Sequence, residues 1–187
     1  VFTSTTYYIL IKIMTLPKPR HINIERYVGG LSKFKKIDNP IKLSANESAL
    51  GASPKAIKAL ERDKNKIFNY PESDSNSLRD VMSKKFNIEF DRIICGAGSD
   101  QIFDLICKLF LQSGDEVIVT EFGFIMHRIY ASLHGAKVLL AKEKNYKASV
   151  DEILKKVTDK TKIVFIANPN NPTGTYLSKN EMLNLRE

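Results

Sequence analysis

From about Asp91 onward, the apolar positions of the chain alternate between short continuous runs and stripes with helical spacing. Short apolar runs bounded by turn residues indicate buried strands, whereas apolar residues at i, i+3, i+4 and i+7 indicate one face of a helix. The predicted strands are residues 92–95, 116–120, 136–141 and 163–167. Alternation of strands and helices predicts an α/β fold with a mostly parallel sheet and helical crossovers.

Four helices are predicted in this part of the chain. The first has a buried face made of Ile102, Leu105, Ile106, Leu109 and Phe110. The second spans residues 124–133. Capping boxes, in which a serine and a glutamate three positions later satisfy each other's backbone amides, predict the other two starts at Ser149-x-x-Glu152 and Ser178-x-x-Glu181. The first box precedes an apolar stripe of Val150, Ile153, Leu154 and Val157.

The chain before Asp91 has a less regular pattern. Ser53-Pro54 predicts a helix start, because proline suits the first helical position, and this helix extends to about Arg62. Leu78, Val81, Met82 and Phe86 mark a second helix. We expect three segments: a disordered extension at 1–14, in which Met14 is a candidate true start, an extended arm at 15–52, and part of a large domain at 53–187.

Composition narrows the function classes. The net charge is +8, but the lysines are scattered and have no interleaved aromatic residues, so we interpret them as a solvated surface and expect no nucleic-acid partner. A basic field of this kind also favours phosphorylated, anionic substrates and cofactors. The apolar run at 7–14 is far shorter than the roughly 20 residues of a membrane span, so we expect no membrane partner.

The cysteines and histidines show no metal-binding pattern. Cys95 and Cys107 have neither disulfide nor metal spacing, and we interpret them as small buried residues of a reducing, cytoplasmic protein. His21, His127 and His134 have no metal-ligating neighbours, so we expect core or surface roles and no metal site.

Two glycine-containing loops are candidates for chemistry. Gly-Ala-Gly-Ser-Asp-Gln at 96–101 joins a predicted strand to a helix start, where free backbone N–H groups can bind a phosphate. The third glycine of a dinucleotide fingerprint is missing, and the turn alone could serve only as a connection. Asn-Pro-Asn-Asn-Pro-Thr-Gly at 168–174 follows a predicted strand, at the end of the sheet where α/β proteins place cofactor-contacting side chains.

Five motifs in order resemble the histidinol-phosphate aminotransferase branch of the class I and II aminotransferases, fold-type I enzymes that use pyridoxal 5'-phosphate (PLP). The resemblance covers residues 24–187. The motifs are Leu-Ser-Ala-Asn-Glu-Ser at 43–48 with Gly-x-Ser-Pro at 51–54, Asn-Tyr-Pro-Glu at 69–72, Gly-Ala-Gly-Ser-Asp at 96–100, Glu-Phe-Gly-Phe at 121–124, and the loop at 168–174.

The resemblance implies a role for seven residues. The amides of Ser99 and Asp100 would bind the cofactor phosphate, Phe124 would stack on the pyridine ring, and Asn171 would hydrogen-bond the ring's phenolic oxygen. It also implies that Tyr70 reaches the cofactor phosphate of a partner subunit, which predicts a homodimer. Tyr27 and Asn46 match positions on the substrate side.

The resemblance further implies that the Schiff-base lysine, the aspartate at the ring nitrogen and the phosphate-binding arginines follow the loop at 168–174. We therefore expect no catalytic residue among these 187 residues and no activity from the chain alone. Departures from the family pattern leave the donor open: no proline follows Asn46-Glu47, Gln101 replaces a glutamate, and His127 stands where tyrosine is common.

The implied reaction transfers the amine of L-histidinol phosphate to 2-oxoglutarate, giving imidazole-acetol phosphate and glutamate in histidine biosynthesis. Three alternatives remain open. The first is an aromatic or other amino-acid aminotransferase, and the second is a decarboxylase of the same branch acting on an amino-acid phosphate. The third, from another class, is a non-catalytic remnant.

Overall fold

The computed structural model describes residues 24, 27–31 and 41–186 of the chain. The predicted extension at 1–14 lies outside the described residues, as does His21, and the predicted arm at 15–52 is described only in part. The three predicted segments therefore stay predictions.

Two amphipathic helices form the first part of the described structure. Helix α1 (Pro54–Asp63) has Ser53 at its N-cap and continues into a 3₁₀ turn at Lys64–Lys66, and α2 (Asn76–Phe86) follows an irregular loop. Both helices were predicted, and both are confirmed. Neither contains a buried residue. In the part of the chain that the structure describes, no helix is long and apolar enough to cross a membrane.

A three-stranded parallel sheet with helical connections forms the second part. The elements of this part in chain order are α3 (Gly98–Phe110), β1 (Glu116–Thr120), α4 (Ile125–Leu133), β2 (Lys137–Ala141), β3 (Glu143–Lys144), β4 (Lys147–Ala148), α5 (Val150–Leu154), β5 (Thr161–Phe165) and α6 (Lys179–Arg186). Strands β3 and β4 pair with each other in a separate antiparallel hairpin. The strand order is β2–β1–β5, and both pairs are parallel. This confirms the predicted α/β class, although β5 begins two residues earlier than predicted.

The central strand β1 is buried on both faces, as expected for a parallel strand covered by helices. Successive side chains of a strand point to opposite faces. Val117 and Val119 accordingly pack with Cys107 of α3, whereas Ile118 packs with Ile153 of α5. Fully burying such a side chain contributes roughly 1.5–3 kcal/mol, so β1 anchors the loops that follow the strands.

The predicted strand at 92–95 is wrong. Phe90–Arg92 forms a 3₁₀ turn. Ile93 is extended, but residues 93–95 pair with no strand among the described residues. Ile93 is buried, but Ile94 is 77% exposed. A strand needs a hydrogen-bonded neighbour, which a pattern within one segment cannot reveal.

The predicted buried face of α3 is shifted around the helix. Cys107 is fully buried, and Phe103 and Ile106 pack beside it, whereas Leu109 is 75% exposed and Phe110 is largely exposed. This helix carries two adjacent apolar stripes. Periodicity alone could not decide which of them faces β1.

The two predicted capping boxes have different outcomes. At α6 the box is confirmed: the Ser178 amide donates to Glu181 Oε2 at 2.7 Å, and the Glu181 amide donates to Ser178 Oγ at 3.3 Å. At α5 it is wrong, because Ser149 makes no side-chain capping hydrogen bond and Glu152 instead binds Lys155 Nζ at 2.7 Å. Glu152 is thus engaged by a lysine three positions later in the chain instead of by the backbone amide of Ser149.

Candidate active site

A cavity of about 850 Å³ lies at the carboxyl ends of β1 and β5. The loop after β1, residues 121–124, contributes Phe124 to its lining, and the loop after β5, residues 168–174, contributes Asn171. Carboxyl ends of parallel strands meet at one edge of a sheet, which is where α/β proteins bind ligands. The sheet thus brings together two predicted cofactor residues that are far apart in sequence.

Described residues of the predicted arm also line this cavity. Tyr27 and Asn46, the two predicted substrate-side residues, are among them. Lys42 lines it as well and forms an ion pair of 2.7 Å with Glu47, and Arg128 of α4 adds a second cation. Four of the seven predicted site residues therefore share one cavity, whose wall also carries two cations, Lys42 and Arg128, and one carboxylate, Glu121. No group of residues in the described ranges could hold a metal ion.

Ser99 and Asp100 lie at the first turn of α3 and are not among the residues that line the cavity. Ser99 is exposed and Asp100 is half-buried. Phe103, one turn further along α3, has its ring centroid 6.3 Å from that of Phe124. The helix start therefore lies beside the cavity, where its first amides have no intrahelical acceptor.

Gln101 organises the turn that precedes α3. Its Oε1 accepts a hydrogen bond of 2.6 Å from the amide of Ala97, the N-cap residue. Gly98 has a φ of 76°, a conformation that residues with a side chain rarely adopt. The sequence identified Gln101 only as a departure from the family pattern. The structure assigns Gln101 a local role, because its side chain satisfies the Ala97 amide at the N-terminus of α3.

Tyr70 lies apart from these residues. It is fully exposed in the loop between α1 and α2 and does not line the cavity. Its predicted contact with a partner subunit stays a prediction.

The loop at 168–174 is shaped by two asparagines whose roles the sequence analysis missed. Asn168 binds both backbone groups of Leu177, accepting from its amide at 2.8 Å and donating to its carbonyl at 3.0 Å. The buried Asn170 donates to Thr173 Oγ1 at 2.9 Å. These bonds fix the loop on either side of Asn171, which faces the cavity. The only signal in the sequence was three asparagines within four positions.

His127 has a core role, which is one of the two roles expected for it. Its ring stacks on Phe165 with centroids 4.9 Å apart, and it meets Phe103 and Phe124 edge-on at 4.7 and 5.7 Å. Burial lowers the pKa of His127. The side chain therefore acts as a neutral aromatic support behind Phe124.

The sequence matches the profile of the family described as aminotransferase class I and II over residues 38–187. The chain belongs to this family. Among curated relatives, it is 57% identical over 174 residues to the histidinol-phosphate aminotransferase of Pelagibacter ubique, a match that covers 93% of this chain and 48% of that protein. The Rhodospirillum rubrum enzyme of the same name is 43% identical over 175 residues, with 94% and 48% covered. The chain thus spans about half the length of these relatives.

Solved structures of aminotransferases share the fold. A putative histidinol-phosphate aminotransferase from Erwinia carotovora atroseptica has a TM-score of 0.73 at 25% identity, covering 79% of this chain and 43% of that one. The histidinol-phosphate aminotransferase from Sinorhizobium meliloti, solved in complex with pyridoxal-5'-phosphate, has a TM-score of 0.72 at 20% identity, covering 76% and 39%. At this identity, the second match supports the fold alone.

Proposed function

We propose that this aminotransferase uses PLP to transfer the amine of L-histidinol phosphate to 2-oxoglutarate, giving imidazole-acetol phosphate and glutamate in histidine biosynthesis. The observation that carries the proposal is the cavity in which Phe124 and Asn171 meet. The names of relatives at 43–57% identity support the donor. An aromatic donor or a decarboxylase is less favoured by these names.

The residues present fit PLP. The cavity volume of about 850 Å³ lies within the ~300–1,000 Å³ of small-molecule sites. Phe124 offers a flat apolar face for a pyridine ring, and Asn171 offers an amide donor for the ring's phenolic oxygen. The amides at the start of α3 suit a phosphate. When bound, PLP acts as an electron sink for the substrate's carbon–hydrogen chemistry.

Each residue would act by binding and orientation. Phe124, supported by His127, would fix the plane of the ring and exclude water from one of its faces. The amides of Ser99 and Asp100 would fix the phosphate end, and Asn171 the opposite edge. Tyr27 and Asn46 would contact the amino donor, with Lys42 and Arg128 adding positive charge to the same cavity.

We further propose a cytoplasmic homodimer in which Tyr70 of each subunit reaches the cofactor phosphate of the other. The exposure of this side chain leaves it accessible to a second copy of the chain. Substituting Tyr70 by phenylalanine should then weaken PLP binding by the dimer and leave binding by a monomeric form unchanged.

The test of the proposed function is a PLP titration followed by absorbance, with the chain and its Asn171→Ala variant. Loss of one hydrogen bond should weaken the affinity about tenfold. Asn65→Ala is the matched control, because Asn65 is exposed in the 3₁₀ turn after α1 and should leave the affinity unchanged. Equal affinities of N171A and the parent chain would contradict the proposed site. In a protein that also contains the Schiff-base lysine, turnover with L-histidinol phosphate should exceed that with L-phenylalanine.

A further inference from the structure

The hairpin of β3 and β4, residues 143–148, contacts both loops that line the cavity. Its turn residues Asn145 and Tyr146 have φ values of 53° and 60°, as in the tight two-residue turns of β-hairpins. The Tyr146 ring packs against Phe122 of the loop after β1, with centroids 5.4 Å apart. The backbone carbonyl of Tyr146 accepts a hydrogen bond of 2.8 Å from Oγ1 of Thr175, which directly follows the loop at 168–174.

Glu143 joins the two loops through one atom. Its Oε1 accepts from the Phe122 amide at 3.2 Å and from Asn170 Nδ2 at 3.5 Å. The Glu143 amide in turn donates to Glu121 Oε2 at 3.3 Å. Phe122 is two positions before Phe124, and Asn170 immediately precedes Asn171. One carboxylate oxygen therefore contacts the residue two positions before Phe124 and the residue immediately before Asn171.

We propose that Glu143 is a positioning residue that holds the loop after β1 and the loop after β5 at a fixed separation, so that Phe124 and Asn171 face one cavity. The other oxygen, Oε2, is buried and has no hydrogen-bond partner among the described residues. Glu143 thus acts through the position of Oε1, so the length of its side chain matters more than its charge.

Three variants separate the effect of side-chain length from the effect of charge. Glu143→Ala removes the acceptor, and Glu143→Asp keeps the charge but withdraws it by one methylene. Glu143→Gln keeps an acceptor oxygen at the original length. The readout is hydrogen–deuterium exchange, in the 187-residue chain, of peptides covering residues 121–127 and 168–177.

We expect exchange in both peptides to become about tenfold faster in E143A and E143D, and to stay within about twofold of the parent in E143Q. A peptide covering α5 should not change in any of the three. Glu152→Ala, whose side chain binds Lys155 on α5, is the matched control and should leave both loop peptides unchanged. Faster exchange in only one loop, or parent-like exchange in E143D, would overturn the proposal. If E143A does not fold, the comparison of E143D with E143Q decides.

The consequence for the cofactor rests on the proposed function and is measured separately. E143A and E143D should weaken PLP affinity about tenfold relative to E143Q. If the parent chain does not bind PLP but the exchange results are as expected, the proposed function fails and the role of Glu143 stands. If PLP binds and neither loop responds to E143D, the role of Glu143 fails.

Discussion

Two regions of the molecule contain predicted helices, and the burial of those helices is very different. In the region of α1 and α2, residues 54–86, no helical residue is buried, and Leu60 is 69% exposed. In the sheet region, residues 98–186, α3, α4 and α5 each bury at least one residue, and every residue of β1 is buried. An apolar stripe thus indicates that a helix forms, but burial also requires a surface for that stripe to pack against.

The difference follows from what each region contains. The sheet has two faces, and α3, α4 and α5 cover them, so β1 packs against clusters on both sides. Helices α1 and α2 have no sheet beside them among the described residues. Their apolar stripes therefore contribute little to the stability of this structure, because burial free energy scales with the area removed from water.

The largest effect should come from matched isoleucine substitutions in the two regions. Ile118 of β1 is fully buried, and Ile67, after α1, is 81% exposed. Ile118→Ala leaves a cavity and should lower the free energy of unfolding by about 2–5 kcal/mol. Ile67→Ala should change it by less than about 0.5 kcal/mol. Urea denaturation measures both.

Comparable losses of unfolding free energy in I118A and I67A would contradict the difference between the two regions. They would mean that Ile67 packs in solution against a surface that the described residues do not include. A cooperative transition with the same urea dependence in both variants is the control, since a changed slope would signal a change in exposed area rather than in packing.

A second effect should appear on acidification and should originate in the sheet region. The pKa of His127 is lower in the folded state than in the unfolded chain because the ring is buried. Between the two pKa values the unfolded state binds more protons, so the free energy of unfolding falls as the pH drops below about 6.5. His127→Phe keeps an aromatic ring and should remove this part of the pH dependence.

The exposed region supplies the control for that measurement. Bonds from Arg62 and Lys66 lower the pKa of Asp63, in α1, to about 2. Its charge is therefore constant in the range where His127 titrates, and Asp63→Asn should leave the slope above about pH 5 unchanged. Equal slopes for H127F and the parent chain would show that His127 is not the source.

The sequence analysis predicted elements better than their contacts. All three strands of the observed parallel sheet and all six helices follow from apolar runs, stripes, prolines and capping-box patterns that act within a few residues. Three features depended on partners elsewhere in the chain: whether residues 92–95 would be paired, which stripe of α3 would face β1, and the hairpin of β3 and β4. The hairpin strands are two residues long, too short for any alternation to be visible.

The candidate site shows the same division. The family resemblance singled out Phe124 and Asn171, and their presence in one cavity could be predicted because both follow strands of one sheet. Gln101, Asn168, Asn170 and Glu143 act through hydrogen bonds to backbone or to other side chains, and nothing in the sequence ranks one polar residue above its neighbours for such a role. Supporting residues therefore appear only when the distances are known.

The smallest effect compares two serines that have the same sequence signature. Ser178 accepts a hydrogen bond from the Glu181 amide at the start of α6, whereas Ser149 at the start of α5 makes no capping bond with its side chain. Ser178→Ala should therefore lower the free energy of unfolding by about 0.5–2 kcal/mol. Ser149→Ala should leave the free energy of unfolding nearly unchanged, because the Ser149 hydroxyl satisfies no helix amide. Amide exchange at Glu181 gives an independent readout, since only S178A should accelerate it. An equal loss in S149A would mean that the box at α5 forms in solution, and that Glu152 leaves Lys155 to complete it.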